Sequence, residues 1–537
     1  MRLIFQTLVI CLSIQVECFQ NVTVNLGYSQ YRGQALPNGI VQWLGIRYAA
    51  PPVGSLRFAA PQDPETAEGV QTAFQHGPLC IPTDQYPIPT GTSEDCLFLD
   101  VYAPNRARNA SKLPVFVFIQ GGGFNADSNA NFNGTGLIQA SKTGIVVVNF
   151  NYRVGPYGFL SGSEVLKGGS SNNGLKDQIK VLQWVQTHIS KFGGDPEHVV
   201  IGGDSAGAAS VTLLLSAYAG EDRGLFHAAA AESQSFATML TATEAQFAYN
   251  NLVIRTGCAS EVDTLSCLRK LDAGTLQQQN IGTPLPDAQK PPLYFYAPTI
   301  DGDLVPDYTY RSFSLGKFIK VPVIFGDVTN EGTTFVPKSI SSVGEADTFI
   351  QSQFPAIQLD QLAIVNHLYL NENQTMSFPD AGVYWRPTSN AYGELRYNCP
   401  GIAMSTAFSE AGVNSWNYHY AVQDPSSESS GEGVYHVVEL NAIWGPQYVT
   451  GTPPASYFTS NAPIIPVMQG YWTSFIKALD PNPYRYPGSP EWETWSGDGN
   501  SDRRLFIRTG DTKMETVPLD QKARCDYLIS IGIALQQ

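Results

Sequence analysis

A serine stands between two glycines in Gly203-Asp204-Ser205-Ala206-Gly207, preceded by the β-branched run Val199-Val200-Ile201 and followed by a small-residue, leucine-rich segment ending at Ser216. A serine hydroxyl is a poor nucleophile at neutral pH, but a sharp strand-to-helix turn leaves it projecting from a sheet edge with its oxygen free to attack a carbonyl. Side chains at the flanking glycines would clash in so tight a turn. The chemistry this implies is acyl transfer. It requires a base within hydrogen-bond reach, an acid that orients the base, and donors for an oxyanion.

In α/β-hydrolases, which deliver such a serine from a strand-turn-helix unit, the order along the chain is nucleophile, acid, base. Of seven histidines, His76, His188 and His198 precede Ser205. His436 lies in Gly433-Val434-Tyr435-His436-Val437-Val438-Glu439, directly after a Ser/Gly-rich stretch, and a loop-borne histidine can reach over a sheet edge. His227 and His419 lie in strand-like runs and His367 in a helix-like one, so these three read as structural. For the acid, Glu331 closely follows the strand-like Val321 to Gly326, where a carboxylate at the carboxyl end of a strand is well placed. Asp301 and Asp303 compete for that role, although Ile300-Asp301-Gly302-Asp303 reads as a turn. Gly121-Gly122-Gly123 offers backbone amides that approach a tetrahedral intermediate unobstructed, and Ala206, opening the helix after the serine, offers one more.

The elements that must position these groups are legible as periodicities. Leu113 to Ile119 and Ile145 to Asn151 are apolar on both faces, as strands inside a mostly parallel sheet are. Gly174 to Lys191 carries Leu175, Ile179, Leu182, Val185 and Ile189 on one helical stripe, and a turn then leads to the strand that delivers Ser205. Strand, helix and strand in this order form a crossover unit, so the expected class is α/β. Leu225 to Glu232 and Trp416 to Val422 read as further strands, Thr241 to Lys290 and Phe349 to Gly412 as helical insertions, and Pro425 to Gly433 as a loop. Glu94 to Tyr102 reads as a strand whose buried acids need partners, which Arg47 or Arg57 can supply.

Composition narrows the function class. Hydrophobic residues make up 43% of the 537 and charged residues 15%, which fits a large folded core. A net charge of -15 disfavours nucleic acid or an anionic membrane as partner and points to a neutral or weakly polar substrate. The N-terminus, with Arg2 followed by apolar Leu3 to Ile14 and small or apolar Val16 and Cys18, reads as a secretory signal peptide over 1–18. The remainder, 19–537, is expected to be one domain and secreted. No later stretch approaches the ~20 apolar residues that a membrane span needs.

Six cysteines remain beyond the signal. An even number in a secreted chain suggests three disulfides, and spacing favours Cys80 with Cys96 and Cys258 with Cys267, leaving Cys399 with Cys525. Sequons at Asn21, Asn109, Asn133 and Asn373 agree with export. No cysteine or histidine spacing suggests a metal, and the expected chemistry needs no cofactor.

Taken together, LGIRYAAPPVGSLRF, EDCLFLDVY, QGGGF, NYRVGPYGFL, NNGLKDQ, FGGDPEHVVIGGDSAGA, IDGDLVPD, GDVTNEGTTF and GVYHVVEL resemble the type B carboxylesterase/lipase family, the cholinesterase-like branch of the α/β-hydrolases, and particularly its secreted fungal members. The resemblance covers nearly the whole mature chain. It implies the α/β-hydrolase fold, with Ser205 as nucleophile, Glu331 as acid and His436 as base. Gly122, Gly123 and Ala206 match the oxyanion donors, and Cys80 with Cys96 and Cys258 with Cys267 match the usual disulfides. Three residues depart from the pattern: Gln120 for the usual His, Tyr or Phe, Asp204 for Glu, and Arg47 for Pro. Gln120 and Asp204 are expected to border the pocket and to affect substrate preference.

Members resembling true lipases carry a long lid within the first disulfide loop, whereas fifteen residues separate Cys80 from Cys96 here, Pro82, Pro87 and Pro89 among them. The expectation is an esterase acting on small to medium-sized soluble esters, with a lipase or a non-catalytic binding protein as alternatives. Oligomeric state is not encoded in any motif.

Overall fold

The computed structural model describes residues 22–107, 109–371, 376–497 and 502–537. The signal segment 1–18 and the sequons at Asn21 and Asn373 lie outside them. Eleven strands form one sheet: β1 (Gln34–Ala35), β2 (Ile40–Arg47), β3 (Phe98–Pro104), β4 (Leu113–Ile119), β5 (Val146–Phe150), β6 (Gly194–Asp204), β7 (Ala228–Glu232), β8 (Val323–Val328), β9 (Ser415–Tyr420), β10 (Arg503–Ile507) and β11 (Lys513–Thr516). Their spatial order is β11-β10-β9-β8-β7-β6-β4-β5-β3-β2-β1. The pairs from β5 through β4, β6, β7, β8 and β9 to β10 are all parallel, and antiparallel pairs close both edges.

The central strands are buried end to end, which is why they read as unbroken apolar runs. Two cores result, one on each face. One gathers Val115, Val117, Ile201 and Phe325 with the helix Asn173–His188 (α1), and the other Phe116, Phe118, Trp444 and Trp472. The stretch 241–290 carries short helices as expected, and Phe349 to Gly412 is largely helical. The Ser/Gly stretch after Asp424 differs from expectation. Pro425–Ser429 forms one helical turn, because the Asp424 carboxylate accepts the amides of Ser426 and Ser427 and Pro425 suits the first helical position.

All three expected disulfides are present: Cys80–Cys96, Cys258–Cys267 and Cys399–Cys525. The acids near β3 find the expected partners, Arg47 with Asp95 and Arg57 with Glu94. Asn109 is exposed and Asn133 half-buried. No helix among the described residues is long and apolar enough to cross a membrane.

Candidate active site

β6 ends at Asp204 and the helix Ala206–Ser216 (α2) begins at once, leaving Ser205 alone in the turn with φ 56° and ψ −117°. A non-glycine residue at such φ is strained, and strain of this kind persists only where surrounding structure enforces it. Here the Ser205 amide donates to the Glu232 carbonyl at the end of β7 (3.0 Å). The glycines are required by close approach: a Cβ on Gly207 would sit 1.9 Å from the Ile119 carbonyl oxygen, and one on Gly203 would sit 2.6 Å from Gly207 backbone.

Glu331 follows β8 in a single helical turn, Glu331–Thr334. Its two oxygens divide their work. Oε1 accepts the Val328 amide at 2.8 Å, which holds the carboxylate against its own strand, and Oε2 bonds to His436 Nδ1. What brings His436 there is an isolated bridge between Asn330 and Tyr435, one residue before each partner. The Asn330 amide donates to the Val434 carbonyl (2.9 Å), and the Val434 amide to Asn330 Oδ1 (3.0 Å). The imidazole is buried between the rings of Phe335 and Tyr397, with centroids 4.8 and 4.7 Å away. With Nδ1 donating to the carboxylate, Nε2 is left as acceptor, and it has no partner among the described residues.

The glycine loop completes the site. Gly121 donates its amide to Asp204 Oδ1 (2.9 Å), and a Cβ placed on Gly121 would lie 2.9 Å from Ser205 Cβ. Gly122 and Gly123 have positive φ, +119° and +62°, and their amides donate to no acceptor among the described residues. The Ala206 amide, first in α2, has no acceptor within its helix. These three amides are therefore available to a developing oxyanion. His227 and His419 are occupied elsewhere: His227 Nδ1 accepts the Val199 amide, and His419 bonds Glu515 and Thr329. Asp301 is likewise consumed, accepting the amides of Asp303 and Val305 in a turn and a side-chain amide from Asn172.

Asp204 and Gln120 act differently from expectation. Neither lines the narrow pocket beside Gly123. Asp204 is fully buried, and its carboxylate is taken up by the Gly121 amide and Asn129, while Gln120 turns toward Phe150 and Asn151. Both reach the site through the loop backbone, because the sheet edge buries them underneath it.

Around Asp204 lie three further acids, Glu232, Asp327 and Glu439, that were not singled out by sequence. Burial raises the carboxyls of Asp204 to about 6 and of Glu439 to about 8, and pushes Glu232 and Asp327 well up. Ser233 donates to Glu439 Oε1 (2.9 Å) and accepts the Val437 amide (3.3 Å), linking this acid to the histidine loop. Strand register explains the gathering, since Asp204 pairs with Glu232 and Glu232 with Gly326 at the carboxyl ends of parallel strands. Glu439 and Asp327 fall inside GVYHVVEL and GDVTNEGTTF, but a lone acid in a motif does not announce its burial.

The family model described as "Carboxylesterase family" matches residues 20–527. Secreted lipase 4 of Gibberella zeae is 30% identical over 524 residues, which are 95% of this chain and 92% of the relative. Secreted lipase 1 of Botryotinia fuckeliana is 34% identical over 498 residues, covering 84% of this chain and 83% of the relative. The crystal structure of Aspergillus niger EstA superposes with a TM-score of 0.92 at 44% identity, covering 96% of this chain and 99% of that one.

Proposed function

This chain belongs to the carboxylesterase family and is a carboxylesterase of α/β-hydrolase fold, and from that premise we propose that it hydrolyses esters through Ser205, His436 and Glu331. His436 Nε2 takes the hydroxyl proton as Ser205 Oγ attacks the ester carbonyl carbon. Glu331 stabilises the imidazolium that forms, and the amides of Gly122, Gly123 and Ala206 hold the oxyanion. Collapse of the tetrahedral intermediate expels the alcohol, protonated by His436, and leaves an acyl group on Ser205. Water then repeats the cycle and restores the hydroxyl.

The observation that carries this reading is the strained Ser205 turn facing three undonated amides, in a chain whose His436 is paired at Nδ1 and open at Nε2. The Ser205→Ala enzyme is expected to lose at least ~10³-fold in kcat/KM on 4-nitrophenyl butyrate. It is also expected to escape labelling by a fluorophosphonate. Undiminished hydrolysis would sink the proposal, and absence of labelling in the wild-type enzyme would favour a binding protein.

Small to medium soluble esters, rather than dispersed acylglycerols, suit the first disulfide loop. The Thr83 amide donates to the Asn125 carbonyl (2.8 Å) and the Asp84 amide to the Asn280 carbonyl (3.0 Å). Gln277 Nε2 donates to the carbonyls of Pro82 (2.7 Å) and Gln85 (2.9 Å). A loop tied at so many points is poorly built to swing open as a lid, so the rate should not jump when a triglyceride passes its solubility limit. Export after removal of 1–18, with 19–537 working as one domain, is supported by the signal-like N-terminus, the three disulfides and relatives named secreted lipases.

A further inference from the structure

Beside Gly123 lies a narrow, mostly apolar pocket walled by Phe159, Leu240, Leu285, Tyr294 and Phe295. One charged residue lines it: Arg396. Its side chain is buried, 6% exposed, and makes no ion pair with any described residue. Nε has no hydrogen-bond partner. What surrounds the guanidinium is a set of phenols: it lies 5.6 Å from the Tyr294 ring centroid and 5.9 Å from that of Tyr397, with the Tyr392 hydroxyl also close. Ring faces favour a cation, and the Tyr392 and Tyr397 hydroxyls interact with the guanidinium, but they leave Nε without an acceptor.

The placement of those rings is what makes the residue more than a buried oddity. Tyr294 packs onto Gly123 so closely that a Cβ there would fall 2.0 Å from its ring, and Tyr397 flanks the His436 imidazole. Arg396 therefore sits behind the two aromatic walls that touch the oxyanion loop and the base. An arginine stays charged under all working conditions and is the side chain best shaped to take a carboxylate through two parallel N–H donors. Resting on the esterase reading above, we propose that the pocket selects esters carrying a carboxylate, which Arg396 binds while the scissile carbonyl reaches Ser205. The chain's net charge of -15 favoured a neutral substrate, but that sum describes the long-range field, which salt screens over a Debye length of about 8 Å, whereas Arg396 acts at contact.

The test is a ratio of kcat/KM values within matched pairs. For a carboxylate on the acyl side, 4-nitrophenyl hydrogen glutarate is compared with 4-nitrophenyl 5-methylhexanoate, and on the alcohol side 3-acetoxybenzoate is compared with phenyl acetate. In one of the pairs the acid-to-neutral ratio should fall about 10- to 100-fold in Arg396→Met and be largely retained in Arg396→Lys, and that pair identifies the side of the ester that carries the charge. Ratios that move less than threefold in both pairs would overturn the proposal. A wild-type enzyme that hydrolyses none of the four esters would instead overturn the esterase reading. Should Arg396→Met fail to fold, wild-type enzyme decides through inhibition of phenyl acetate turnover. Competitive inhibition at least tenfold stronger by glutarate or 3-hydroxybenzoate than by the corresponding amide, glutaramide or 3-hydroxybenzamide, upholds the proposal, and equal inhibition by acid and amide in both cases refutes it.

Discussion

Two regions of the molecule bury charge in opposite ways. Near the amino-terminal strands, Arg153 meets Asp177 through two parallel bonds of 2.8 and 2.7 Å, with its third nitrogen on the Ala59 carbonyl (2.7 Å). Arg57 meets Glu94 in the same manner, both bonds 2.6 Å, and its remaining nitrogen reaches the Leu268 and Leu271 carbonyls. At the carboxyl ends of β6, β7 and β8 the charges are unmatched. Asp204, Glu232, Asp327 and Glu439 gather without an arginine or lysine bonded to any of them among the described residues, and across the site Arg396 has no carboxylate. Fully paired charges serve the fold, since each donor and acceptor is consumed internally. Unmatched ones are compatible with folding where burial keeps acids such as Glu232, Asp327 and Glu439 protonated and the cation rests on ring faces, and of these groups Arg396 lines the pocket beside Gly123.

The division is testable, beginning where the effect is largest. Removing the base with His436→Ala should cost ~10⁴-fold or more in kcat/KM on 4-nitrophenyl butyrate while the chain still folds. An activity loss that merely tracks lost secondary structure in circular dichroism would blur the distinction. The converse change, Asp177→Ala, strands a buried guanidinium and should destabilise by ~3–5 kcal/mol in denaturant unfolding, with turnover per folded molecule little altered. A stable but inactive variant would place Asp177 on the wrong side of the comparison.

The protonated acids make a smaller and pH-dependent prediction. Burial raises Glu439 to about 8 and Asp127 to about 7, and lifts Glu232 and Asp327 well above the usual carboxylate range. Between pH 6.5 and 8 the folded chain thus keeps protons that the unfolded chain has already released. Stability must therefore fall as pH rises through this window, at ~1.4 kcal/mol per pH unit for each such proton. Histidines held low by burial, His188 and His198, affect only lower pH. Glu439→Gln mimics the protonated acid, so its stability relative to wild type should improve from pH 6.5 to 8. A gap that stays constant would mean Glu439 is ionised throughout. Smallest of all, Asp63→Asn removes the partner of Lys180 at the surface, where the Asp63 side chain is 89% exposed, and the unfolding free energy from denaturant titration should change by no more than ~0.5 kcal/mol.

Much of this site is local, and what is local can be read along the chain. The Ser205 turn needs glycine at 203 and 207 because two backbones approach there, and a strand, five residues and a helix record that need in order. Disulfide partners close in sequence, such as Cys258 and Cys267, are similarly legible, and Cys399 with Cys525 follows from the remaining count. The α/β class emerges because both faces of the central strands are covered, which writes them as continuous apolar runs. Pro425–Ser429 was missed as a helical turn because Ser and Gly composition outweighed a single capping aspartate.

The sequence by itself thus singled out the candidate nucleophile and the glycine loop, since each is encoded by neighbours along the chain, and the order of acid and base came with the resemblance to α/β-hydrolases. Only the tertiary structure decided that Asn330 and Tyr435 bridge so that Glu331 meets His436, that four more acids crowd behind them, and that Arg396 has rings rather than a carboxylate for company. The physical reason is that ionisation, burial and pairing belong to a residue's neighbours in space, and strands 100 residues apart in sequence contribute them equally.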